Sequence, residues 1–139
     1  MALDVLATAK KMMRRRQFDK AITILQSRAE IYEDNFDYYL LFAIACLYVG
    51  DTGTASAYFQ KARKIRITDT TLLLGQAALF LRRGNTDRAL QYYLDVLDYE
   101  PGNKIAQNAW NLSAQKAIIQ QSANGLIRAI LNSFIRHLV

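Results

Sequence analysis

The sequence predicts an all-α protein. Its apolar residues recur at helical rather than alternating spacing, one proline and six glycines punctuate 139 residues, and the chain matches itself when displaced by 34 positions. That displacement lays Gly50 on Gly84, Ala55 on Ala89, Phe59 on Tyr93, Asp51 on Asn85 and Leu47 on Leu81. With 52% apolar residues the chain is long enough for a sizeable core, and a single domain over residues 1–139 is expected.

The elements follow from this period. In residues 2–35, Ala9 and Met12 mark a first helix and Phe18, Ala21 and Leu25 a second, with Arg16 where the later copies have glycine. In residues 36–69, Tyr39, Phe42, Ala43 and Cys46 fall at i, i+3, i+4 and i+7, one face of a helix that Gly50 stops. Ala55, Phe59 and Ala62 line the helix after it, where small residues permit a close crossing. Residues 70–103 repeat the arrangement with Leu73, Ala77 and Phe80, a turn at Gly84, then Ala89 and Tyr93, and Pro101 beyond the second helix. Residues 104–139 depart from the period. Lys104 to Gln121 reads as one long helix carrying Ile105, Trp110, Leu112, Ile118 and Ile119, and Asn124-Gly125 reads as a turn. Apolar pairs at 126/127, 130/131, 134/135 and 138/139 then make an amphipathic final helix.

A 34-residue period with small, aromatic and proline residues at these offsets resembles the tetratricopeptide repeat, whose pattern runs W-x2-L-G-x2-Y, then A-x3-F, then P. The likeness covers about three quarters of the chain, through Gly50, Ala55, Phe59 and Ala62 and through Gly84, Ala89, Tyr93 and Pro101. In the first helices Tyr39 and Leu73 stand for the pattern's Trp, and Ala43 and Ala77 for its Gly. The resemblance implies a right-handed α-solenoid of about three helical hairpins plus a C-terminal capping helix pair. It also implies a concave groove, lined by the first helices, that binds a partner's helix or peptide. The positions facing that groove are Leu6 and Lys10, Leu40 and Ile44, and Leu74 and Ala78. They lack the Lys and Asn pattern with which some members clasp a chaperone's C-terminal carboxylate. A largely apolar groove suits an amphipathic helix or apolar peptide, or a filling segment from the same chain or a second copy. The expected function is a protein-interaction adaptor, with self-association through the same surfaces as a further use.

The final helix offers Leu126, Ile127, Ile130, Leu131, Phe134, Ile135 and Leu138 for capping the stack, plugging the groove or pairing with a second copy. Lys104, Lys116, Arg128 and Arg136, with no acidic residue among them, place four of the net six positive charges in this segment. An alternative reading is therefore an adaptor that lies on an anionic membrane surface or on nucleic acid. The other basic clusters, Lys10-Lys11 with Arg14 to Arg16, Lys61 to Arg66, and Arg82-Arg83, fall near expected helix C-termini, where cations complement the macrodipole. That account disfavours nucleic acid as the partner.

Catalysis, cofactors and metals are not expected. His137 has no acidic neighbour in sequence, no Cys/His spacing suits zinc, and no glycine-rich loop suits phosphate. Cys46, on a core-facing stripe, reads as a small buried hydrophobe. A lone cysteine, an N-terminus without a signal-peptide apolar stretch and no apolar run of about 18 residues lead to the expectation of a cytoplasmic protein without a membrane span.

Overall fold

A computed structural model describes the backbone of residues 4–113 and 116–137, and the side chains of these residues other than 112–124, 126 and 137. The described residues form eight helices and no strand: α1 (Val5–Arg14), α2 (Phe18–Gln26), α3 (Phe36–Val49), α4 (Thr52–Ile65), α5 (Thr70–Arg82), α6 (Thr86–Tyr99), α7 (Lys104–Ser113) and α8 (Lys116–His137). The chain divides into two compact units, Met1–Ile67 with Phe134–Val139, and Thr68–Ser133.

In the first unit α1 packs on α2 and α3 on α4, and both helices of the first pair also touch α3. The turns that close these pairs are built alike. The N–H groups of Arg16 and Gln17 donate to the carbonyls of Met13 and Met12 at 3.0 and 2.9 Å, and those of Gly50 and Asp51 to Leu47 and Cys46 at 3.2 and 3.0 Å. In the second unit the N–H groups of Gly84 and Asn85 donate to Leu81 and Phe80 at 3.0 and 2.9 Å. Each turn satisfies carbonyls left open at a helix end by the Schellman arrangement, which needs a left-handed residue. Gly50 and Gly84 supply it at φ of 88° and 75°, and Arg16, the glycine's replacement, adopts it at 61°. Helix starts keep the same interval: the Oδ1 atoms of Asn35, Asp69 and Asn103 accept from the N–H groups of Tyr38, Leu72 and Ala106 at 2.9 to 3.0 Å.

The second helices bury the small and aromatic positions read from the sequence. Ala55, Phe59 and Ala62 of α4 are fully buried, as are Ala89, Tyr93 and Val96 of α6. In α1 the buried residues are Val5, Ala9 and Met13, while Met12 is half-buried. α2 ends at Gln26, after 9 residues against 14 in α4 and α6. The 34-residue register explains the early end, because Arg28 occupies the slot held by Ala62 in α4. A guanidinium cannot enter that dry crossing unpaired. The chain leaves the α-helix, the Ser27 hydroxyl donates to the Ile24 carbonyl at 2.6 Å, and residues 28–35 continue in turns closed by i to i−3 bonds, with Arg28 exposed.

The C-terminal region differs from expectation at one point, the turn at Asn124-Gly125. Residues 104–113 and 116–121 are helical, residues 114 and 115 lie outside the described residues, and α8 runs without a break through Asn124-Gly125. Asn and Gly in a helix interior each cost under or about 1 kcal/mol relative to Ala. Burial of Ile127, Ile130, Leu131 and Phe134 outweighs that cost, since a fully buried Leu, Ile or Phe side chain contributes about 1.5–3 kcal/mol. No helix among the described residues is long and apolar enough to cross a membrane.

Candidate functional site

The residues expected to line an open groove are mostly closed to solvent. Leu40 and Ile44 of α3 and Leu74 and Ala78 of α5 are buried, and only Leu6 and Lys10 of α1 are half-buried. The physical reason lies in the helices that carry them. α3 is apolar around its whole circumference from Leu40 to Leu47, and every residue of that stretch is buried. α5 is buried continuously from Leu72 to Leu79, with Gln76 the one polar residue inside it. A helix without a polar face is covered on all sides.

The described part of the final helix is buried along one stripe. Ile127, Ile130, Leu131 and Phe134 stand at i, i+3, i+4 and i+7 and are closed to solvent, Ile135 is half-buried, and Arg128 and Arg136 are exposed. The side chains of Leu126 and Leu138 lie outside the described residues. The apolar stripe is buried within the single chain.

A second feature, absent from the sequence reading, lies wholly in the first unit. The turns after α2 leave a cleft of about 300 Å³. It is lined by Ala29, Glu30 and Glu33 of the turns, Tyr38 and Tyr39 of α3, and Tyr58 and Lys61 of α4. The rings are held firmly. Tyr58 stacks on Phe42 at 4.0 Å between centroids, Tyr38 stacks on Tyr32 at 5.3 Å, and Tyr39 meets Tyr58 at 6.0 Å. The Tyr38 hydroxyl donates to the Leu25 carbonyl at 2.6 Å, and the Tyr39 hydroxyl accepts from the Asp34 N–H at 2.9 Å, with Asp34 itself in the left-handed region at φ 60°. Burial pushes the Tyr38 phenol up to about 12 and the Tyr58 phenol above its ordinary value, so both are neutral donors at physiological pH. The Lys61 ammonium sits 4.6 Å from the Tyr58 ring centroid and 5.7 Å from that of Tyr39.

Cys46 is buried, and burial, with a smaller push from the Asp51 charge, raises its thiol to about 12. It is an inert core residue at physiological pH. The described residues include no cluster of three His, Cys, Asp or Glu side chains suited to a metal ion. No protein-family model matches this sequence, and no curated protein matches it.

Proposed function

We propose that this chain is a non-enzymatic adaptor of tetratricopeptide type, a right-handed stack of three helical hairpins that recognises an amphipathic helix of a protein partner. The hydrogen-bonded turns at Arg16, Gly50 and Gly84 and the capped helix starts at Asn35, Asp69 and Asn103, each 34 residues apart, support the repeat reading. The observation that carries the function is the buried i, i+3, i+4, i+7 stripe of α8, together with the burial of the first-helix positions Leu40, Ile44, Leu74 and Ala78. The stripe of α8 has the anchor spacing with which helices are read in grooves, and its burial supports α8 as a helix of the kind such a groove would take. On this reading α8 is a resident ligand, and a partner helix binds by replacing it, at an apparent affinity reduced by the fraction of time α8 stays docked.

The test keeps the full chain and weakens the resident helix. In Ile130→Asp/Phe134→Asp, a fluorescein-labelled peptide of residues 116–137 should bind at least about tenfold more tightly than to the unaltered chain, read by anisotropy. Circular dichroism establishes that the remaining helices persist. A helical variant without saturable peptide binding would remove helix recognition from the proposal.

A further inference from the structure

We infer that the tyrosine-walled cleft between the turns after α2 and the helices α3 and α4 is a binding site for an arginine side chain presented by a partner's peptide segment. The site is separate from the surface that holds α8 on the reading above, and it stands on its own observations.

The shape comes first. At about 300 Å³ the cleft lies at the small end of ligand sites, too small for a large cofactor and suited to one long side chain. Its walls then select the chemistry. Tyr39 and Tyr58 are half-buried, their rings fixed by neighbours, and an aromatic face attracts a cation. The chain shows that preference itself, because Lys61 lays its ammonium over both rings. Glu30 and Glu33 also line the cleft and are exposed, and among the described residues their carboxylates have no ion-pair or hydrogen-bond partner. Two carboxylates against one ammonium leave the cleft negative on a chain whose net charge is +6, so the cleft departs in sign from the molecule around it. A guanidinium fits better than a second ammonium. Its plane stacks on a tyrosine ring, and its edge presents paired N–H donors to carboxylates. Lys61 is then the internal competitor that an incoming arginine displaces from the rings.

The experiment titrates the full ¹⁵N-labelled chain with the peptide acetyl-Gly-Arg-Gly-amide, with its citrulline counterpart, which keeps the shape and lacks the charge, and with spermidine. Saturable shifts at Ala29, Glu30, Glu33, Tyr39, Tyr58 and Lys61 are expected with the arginine peptide and not with citrulline. Glu30→Gln/Glu33→Gln, which alters only exposed side chains, should weaken binding by about tenfold or more, since it removes both charge-assisted partners. Lys61→Gln should strengthen it by roughly two- to fivefold by vacating the rings. Equal response to citrulline, shifts scattered away from the cleft, or unchanged binding in the double glutamine variant would each overturn the assignment. Saturation by spermidine with no response to the arginine peptide would do the same, transferring the cleft to free polyamines.

Discussion

Replacing Tyr93 by Phe should stabilise the protein. Tyr93 is 0% exposed, and its hydroxyl has no hydrogen-bond partner among the described residues. Its equivalent one period earlier is Phe59, equally buried and without a hydroxyl, so the slot itself asks only for an aromatic ring. An unpartnered buried polar group costs roughly 1–3 kcal/mol, and removing the oxygen leaves a gap of a few tens of Å³ at most, worth under about 1 kcal/mol. The net gain is about 1–2 kcal/mol. For a chain of this size each kcal/mol moves the melting temperature by about 3–5 °C. Burial also holds the Tyr93 phenol well above its ordinary ionisation range, so the gain should persist from pH 6 to 9. The reciprocal change, Phe59→Tyr, should destabilise by about 1–3 kcal/mol, because it introduces the same oxygen into a closed slot. Urea titrations of both variants, followed by tyrosine fluorescence and far-ultraviolet dichroism, measure the pair. A Tyr93→Phe variant less stable than the parent by 1 kcal/mol or so would show that the hydroxyl is satisfied and that its slot differs from that of Phe59.

Three further outcomes are expected. Gly84→Ala should cost about 1–2 kcal/mol because φ is 75° although nothing lies within 4 Å of a new Cβ, whereas Gly125→Ala, with the same open space but helical backbone, should gain up to about 1 kcal/mol; equal effects in urea titrations would contradict the continuous α8. The buried thiol of Cys46, raised from its ordinary 9.0 to about 12, stays protonated longer in the fold than in the unfolded chain. Stability should therefore be full below pH 9 and fall between pH 9 and 12, the Tyr38 phenol adding to the fall above pH 10, and Cys46→Ala should flatten the slope between pH 9 and 10; a parent midpoint unchanged across that interval would refute it. Arg28→Ala should extend α2 past Gln26 and narrow the tyrosine cleft, seen as helical ¹³Cα shifts over residues 27–31; turn-like shifts in the variant would locate the cause of the early end elsewhere.

The fold was legible where local rules and the period agree. Gly50 and Gly84 as left-handed helix ends, and Ala55, Phe59, Ala62 and Ala89 as buried crossings, follow from residue type and offset alone. The C-terminal region was less legible because Asn124-Gly125 is a strong turn signal only when nothing competes with it. In α8 the apolar stripe from Ile127 to Phe134 gains more from one continuous helix than the two weak helix formers lose. Propensity is a prior of about 1 kcal/mol per residue, and several buried side chains override it.

The surfaces that could bind a partner were less legible than the fold, for two different reasons. Taking Leu40 and Ile44 as an open groove rested on position within the repeat, yet the stretch Leu40 to Leu47 carries no polar residue on any side. That pattern already says covered rather than exposed. The tyrosine cleft left a fainter trace. Tyr39 and Tyr58 look like ordinary repeat aromatics, and nothing in their spacing marks a cavity. The signal is the residue that breaks the pattern: Arg28 stands in the slot of Ala62 and Val96 where α2 ends early, and the turns that replace its last residues bring Glu30 and Glu33 into one cleft with Lys61. In a chain built by repetition, a charged residue at a position that elsewhere is small and buried relocates the backbone around it, and the open space that follows is where a ligand can enter.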